Sequence, residues 1–178
     1  NEDWPRPGKF QVRLASRRQP LPLDRRRASG HRAFSQAEEL RRDQKPGAAL
    51  PLYQEALHDF QASGDRERLG PAFYRLGDLL YGLGRNKKAR DQLFEAAHQF
   101  AGSADEAMAD NKLGSVYEAL GESGRAFAML NQAQAIAERF GDRIRKAGGL
   151  NNLGSFFQGQ GRLEESLNAF ASALEEWR

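Results

Sequence analysis

The stretch LGSVYEALGESGRAFAMLNQA (residues 113–133) decides the fold. A leucine–glycine pair, Leu113 and Gly114, is followed three places on by the bulky Tyr117. The small Ala126 stands twelve residues after the glycine, the large Leu130 four beyond it, and Ala133 three beyond that. Intervals of three and four describe one face of a helix. Gly121 falls between the two halves, where a C-cap glycine ends a helix by taking a positive φ. The stretch therefore predicts two helices joined by a tight turn. Small residues on both let the axes approach, and large ones fill the adjoining holes.

The same frame recurs on both sides. Leu76-Gly77 is followed by Leu80, Ala89, Leu93 and Ala96, and Leu153-Gly154 by Phe157, Ser166, Phe170 and Ala173. A degenerate first copy keeps Ala37, Leu40, Ala49, Tyr53 and Ala56. The key small residue stands at 37, 77, 114 and 154, at spacings of 40, 37 and 40. Gly84 and Gly161 repeat the stop signal of Gly121. A single hairpin cannot bury its apolar face, so stacked neighbours must supply a continuous core. Expected starts are Asp24 as an N-cap, Asp65, a capping box from Ser103 to Glu106, and Asp142. Pro71 is expected early in its helix, where a missing N–H costs least, and Pro51 falls inside the second helix of the first copy.

Composition agrees with a thin-cored array. Of 178 residues, 39% are hydrophobic and 29% charged, with no cysteine. Disulfides, thiolate metal sites and a cysteine nucleophile are thereby excluded. No apolar run is long enough to span a bilayer, and residues 1–18 lack the apolar core of a signal peptide. A cytoplasmic setting is the expectation. The net charge of +3 hides an asymmetry: residues 1–32 hold nine Lys/Arg against three acidic side chains, and the rest holds 18 against 21. Nucleic-acid binding needs a basic stripe on the folded body. Here the densest basic cluster, Arg17-Arg18 with Arg25-Arg26-Arg27, lies at one end and carries no interleaved aromatics for base stacking.

The recurring L-G-x2-Y … A-x3-F-x2-A pattern resembles the tetratricopeptide repeat (TPR) from about residue 30 to 178. With repeats of 37 to 40 residues, Asn151-Asn152-Leu153-Gly154 and Gly-Asp junctions, it resembles the long repeats of kinesin light chains, Leu-Gly-Asn polarity adaptors and bacterial regulators. The resemblance implies an all-α, right-handed superhelix of four hairpins (about 24–64, 65–102, 103–141 and 142–178), preceded by a basic arm over 1–23. Alternation of Phe10, Val12 and Leu14 predicts a short strand in that arm. Residues 47–57 (GAALPLYQEAL) after a strand and basic linker also resemble the N-terminal parts of bacterial CHAT-domain proteins, in which such repeats precede a caspase-like protease.

The resemblance implies a binding module without catalysis, whose concave groove takes a protein or peptide. Groove candidates flank each Leu-Gly: Arg75, Asp78 and Tyr81; Asn111, Lys112, Ser115 and Glu118; Asn151, Asn152, Ser155 and Gln158. In long-repeat families an asparagine just before Leu-Gly bonds the backbone of an extended peptide, and Asn152 holds that place. An amide supplies both donor and acceptor to a peptide unit. Lys112 and Arg75 hold the same place in earlier copies and are expected to favour a carboxylate. The chaperone-tail carboxylate clamp is not matched, since the first copy offers Phe34, Ser35 and Glu38. No cofactor or metal is expected: His31, His58 and His98 do not converge, and residues 82–88 (GLGRNKK) follow a helix rather than the strand a phosphate loop needs. Trp177 stands where Phe60 and Phe100 close earlier hairpins, so an apolar end face and self-association there, or through the strand, are expected.

Overall fold

In the computed structural model, residues 21–178 are described. The Phe10–Leu14 strand and most of the arm lie outside them. The described residues form eight helices: α1 (Pro22–Arg42), α2 (Pro46–Ser63), α3 (Arg66–Gly82), α4 (Asn86–Phe100), α5 (Asp105–Ala119), α6 (Ser123–Arg139), α7 (Arg143–Gly159) and α8 (Leu163–Trp177). They pair as hairpins α1–α2, α3–α4, α5–α6 and α7–α8, and each second helix packs on the first helix of the next hairpin.

The small-to-large frame sets each hairpin's geometry. A Cβ added to Gly77 would sit 2.6 Å from Leu93, one on Gly114 2.6 Å from Leu130, and one on Gly154 2.7 Å from Phe170. Those distances leave no room for a side chain, so glycine is required for the approach. Ala37, Ala49, Tyr53 and Ala56 of the first copy are fully buried in the same register. Ser166 keeps a buried hydroxyl by donating to the Gly154 carbonyl at 2.8 Å. A second series lies seven residues earlier. Gly30 abuts Phe60 and Gly70 abuts Phe100, while Ala107 and Ala147 hold that position in the later hairpins.

Helix ends follow the expected chemistry with instructive exceptions. Gly84, Gly121 and Gly161 all take positive φ near 70°. In the first hairpin the equivalent residue is Gln44, at φ 57°, the one non-glycine residue with positive φ among those described. Asp24 is not the N-cap. Pro22 starts α1 because its fixed φ suits the first turn, and the Asp24 carboxylate, three residues in, accepts from the Leu21 N–H at 3.1 Å. Asp142 does cap α7, accepting from the Arg145 N–H at 2.9 Å. Asp65 precedes α3 but turns its carboxylate to Arg27 at 3.3 Å and His31 at 3.5 Å instead. The Ser103–Glu106 box is displaced: α5 begins at Asp105, the Ser103 hydroxyl accepts from the Asp105 N–H, and Glu106 accepts from the Gly102 N–H. Pro71 lies well inside α3, beyond the first turn, as Pro51 does inside α2. Each forfeits one i→i−4 bond.

The two ends of the stack differ. In α3, α5 and α7 the residues turned toward the preceding hairpin are apolar or small and buried: Ala72, Leu76 and Leu79; Ala109, Leu113 and Val116; Gly149, Leu153 and Phe156. On α1 the same repeat positions are Arg32, Gln36 and Glu39, all exposed. At the other end, α8 exposes Leu163, Leu167 and Leu174. Their counterparts on α6 are Ser123, Phe127 and Gln134: Ser123 accepts from Gln160 just past α7, while Phe127 stacks on Phe156 and Gln134 lies against Gly149 of α7.

Candidate partner-binding groove

The first helices of successive hairpins line one side of the stack, and ion pairs stitch them together there. Glu38 of α1 meets Arg75 of α3 at 3.1 Å. Asp78 of α3 meets Lys112 of α5 at 2.9 Å. Asp105 of α5 and Asp142 both pair with Arg145 of α7. Burial pulls the Lys112 ammonium downward, yet the Asp78 carboxylate overrides it and holds the pKa above its ordinary value. Burial likewise opposes ionisation of Glu38, but the Tyr53 hydroxyl, Arg41 and Arg75 hold its carboxyl below the usual range. These cations already have internal partners. Arg75 and Lys112, expected to favour a carboxylate, are paired here with Glu38 and Asp78 of the chain itself.

Between α3, α5 and α7 lies an open cavity of about 300 Å³. Asn111, Lys112, Asn151 and Asn152 converge on it. Its apolar lining comes from Tyr74, Met108, Ile144 and Trp177, with Gly148 leaving space on the α7 side. Arg75, Asp78, Ser115, Ser155 and Gln158 do not line it. Arg75 and Asp78 serve the ion-pair ladder. The Ser115 and Ser155 hydroxyls donate back to the Asn111 and Asn151 carbonyls of their own helices, at 3.5 and 3.1 Å. Gln158 is exposed two turns along α7 from Asn151. Glu118 sits near α7, its carboxylate 3.1 Å from where a Cβ on Gly159 would be.

Three features escaped the sequence reading. Tyr74 lines the cavity at the repeat position of the expected Asn111 and Asn151, and Met108 and Gly148 share a position a turn earlier. The groove therefore extends a helical turn further from the Leu-Gly pair, to Met108 and Gly148. Ile144 and Trp177 reach it from the ends of α7 and α8, with 79% and 59% of their surface exposed. Asp110 was also missed. It occupies the repeat position of Phe73 and Leu150, is 2% exposed, and one carboxylate oxygen has no hydrogen-bond partner. Burial, reinforced by the nearby charge of Glu106, pushes its pKa up to about 7. Beside it, the side-chain carbonyl oxygens of Asn111 and Gln134 are also buried without partners, and both amides back onto Gly149. Among the described residues no group of three or more His, Asp or Glu is placed to hold a metal, and no helix is long and apolar enough to cross a membrane.

Residues 105–175, spanning α5 through most of α8, match the family model for the tetratricopeptide repeat. Residues 105–175 thus carry tetratricopeptide repeats. Solved structures agree on the fold. Aspartyl phosphate phosphatase F from Bacillus subtilis aligns at 13% identity and a TM-score of 0.77, over 87% of this chain and 42% of its own. The chain thus spans less than half the length of that protein. MamA aligns at 24% identity and a TM-score of 0.61, over 83% and 77%. A kinesin light chain-type protein of Podosopora anserina with nearly identical TPR-like repeats aligns at 15% identity and a TM-score of 0.70, over 83% and 74%. No curated protein sequence matches.

Proposed function

We propose that the TPR array is an interaction scaffold that binds an extended segment of another polypeptide along α3, α5 and α7, acting by binding rather than catalysis, in a cytoplasmic setting. The observation that carries this reading is the convergence of Asn111, Asn151 and Asn152 on one open cavity. Primary amides can satisfy both the N–H and the C=O of a peptide unit, which otherwise costs free energy to bury. Selection from a displayed peptide library, followed by binding to Asn151→Ala/Asn152→Ala, tests it. Both residues are outside the core, so the melting temperature should hold while the selected peptides lose at least about tenfold in affinity, the worth of one or two hydrogen bonds. Undiminished binding would place the site elsewhere.

A second reading has a specific observation in its favour. The exposed Leu163, Leu167 and Leu174 of α8 match the positions through which α6 seats α7. The array would then serve as a regulatory or spacer region packed within a larger polypeptide of the CHAT type, or associate with itself through this face. Sedimentation of the purified chain over a concentration series separates these: a monomer throughout argues against self-association.

A further inference from the structure

The groove's chemistry also specifies what kind of segment it takes. We infer that the cavity between α3, α5 and α7 selects a bulky apolar side chain flanked by uncharged residues, and does not select acidic segments. The inference rests on the groove reading above and concerns only ligand class.

The charges decide the first half. Each cation bordering the cavity is matched within the protein. Lys112 is held by Asp78 at 2.9 Å, and Arg145 by Asp105 and Asp142 together. Further along, Arg75 is held by Glu38 at 3.1 Å, and Lys146 by Glu176 at 2.9 Å. An incoming carboxylate would meet cations whose charge is already matched and would lie beside the carboxylates that match them. Like charges at that range repel, and a half-buried site screens them poorly. The apolar surface decides the second half. Tyr74, Met108, Ile144 and Trp177 line the cavity, and Ile144 and Trp177 leave most of their surface in water. Covering such surface is favourable in proportion to its area, and an aromatic residue in a concave site is the usual anchor of an interface. Asn151 and Asn152 beside them can hold the flanking backbone without charge.

The test uses acetylated, amidated nonapeptides with a central Trp, Phe, Leu or Ser and either neutral, acidic or basic flanks. Binding to the intact chain is followed by fluorescence anisotropy. Neutral-flanked peptides with Trp, Phe or Leu should bind best. Their Kd should change by less than about twofold between about 50 and about 300 mM salt, because no ion pair is formed. Trp177→Ala and Ile144→Ser, both at exposed positions, should each weaken them by at least about fivefold. Asp78→Asn, which frees Lys112, should improve acidic-flanked peptides specifically. A wild-type preference for acidic flanks with salt-sensitive affinity would overturn the inference while leaving groove binding intact. Tight binding of the central-Ser peptides would overturn it as well. Failure of every peptide class would overturn the groove reading and this inference together.

Discussion

The two outward faces of the stack, on α1 and on α8, are made by the same repeat from opposite chemistry. On α1, Arg32, Gln36 and Glu39 replace, in turn, the buried Ala or Gly, the Leu, and the Leu, Val or Phe of later first helices, and are exposed. On α8, three leucines hold the places that seat a neighbouring helix and have nothing over them among the described residues. A repeat fold has no intrinsic inside or outside. A position is core only if another hairpin covers it. The α1 face therefore carries the chemistry of a surface, and the α8 face that of an interior.

That difference can be broken most severely at Val116. It is fully buried on α5 at the repeat position where α1 carries exposed Glu39. Val116→Glu should cost about 4 kcal/mol or more in urea denaturation, because an unpaired charge is driven into the core. A small loss would mean that first helices do not share one packing register.

Asp110 sharpens the contrast from within, as a carboxyl in an interior position. Its folded pKa is raised to about 7 by burial and Glu106, against about 4 in the unfolded chain. Between these values the folded state holds a proton that the unfolded state has released. Stability should therefore fall as pH rises from about 4 to about 7 and level off above. Asp110→Leu, matching Leu150, should remove this contribution and raise stability at neutral pH by roughly 2 kcal/mol. Chemical denaturation of both proteins across pH reads it out, and parallel profiles would refute the assignment.

The first hairpin differs in its turn as well as its face. Gln44 holds φ 57° where the other hairpins use glycine. Gln44→Gly should stabilise by about 1 kcal/mol, since the left-handed conformation costs a non-glycine residue about that much. No change would mean the turn relaxes in solution. The smallest effect belongs to α8. Leu167→Glu should shift stability by no more than about 0.5 kcal/mol, as expected of an exposed site. A large loss would show that this face is covered in the isolated chain.

How much of this was legible in advance follows from which physics each feature uses. The contacts of Gly77, Gly114 and Gly154 with Leu93, Leu130 and Phe170 are set by spacing along one hairpin, and spacing is what a sequence displays. The ladder of Glu38–Arg75 and Asp78–Lys112 was not legible, because it joins side chains a whole repeat apart whose meeting depends on the stacking of neighbouring hairpins. That is why the carboxylates that Lys112 and Arg75 were expected to favour could not be placed within the chain from its sequence. Met108 and Ile144 were missed because they stand at least one helical turn before the window around the Leu-Gly pair, and Tyr74 because an aromatic at the place of Asn111 and Asn151 reads as packing rather than as groove lining. Asp110 was visible as an anomaly, a carboxyl aligned with Phe73 and Leu150, and alignment of the copies would have found it.

The register itself is tested most directly by a double-mutant cycle on Gly114 and Leu130 in urea denaturation. A Cβ on Gly114 meets Leu130 at 2.6 Å, so Gly114→Ala should destabilise even though alanine is the better helix former by about 1 kcal/mol. Leu130→Ala alone should cost about 2–5 kcal/mol through the cavity it leaves. Together they should be less damaging than the sum by at least about 1 kcal/mol, because the added methyl enters the vacated space. Strict additivity, or a stabilising Gly114→Ala in the wild-type background, would contradict the close helix approach on which the groove depends.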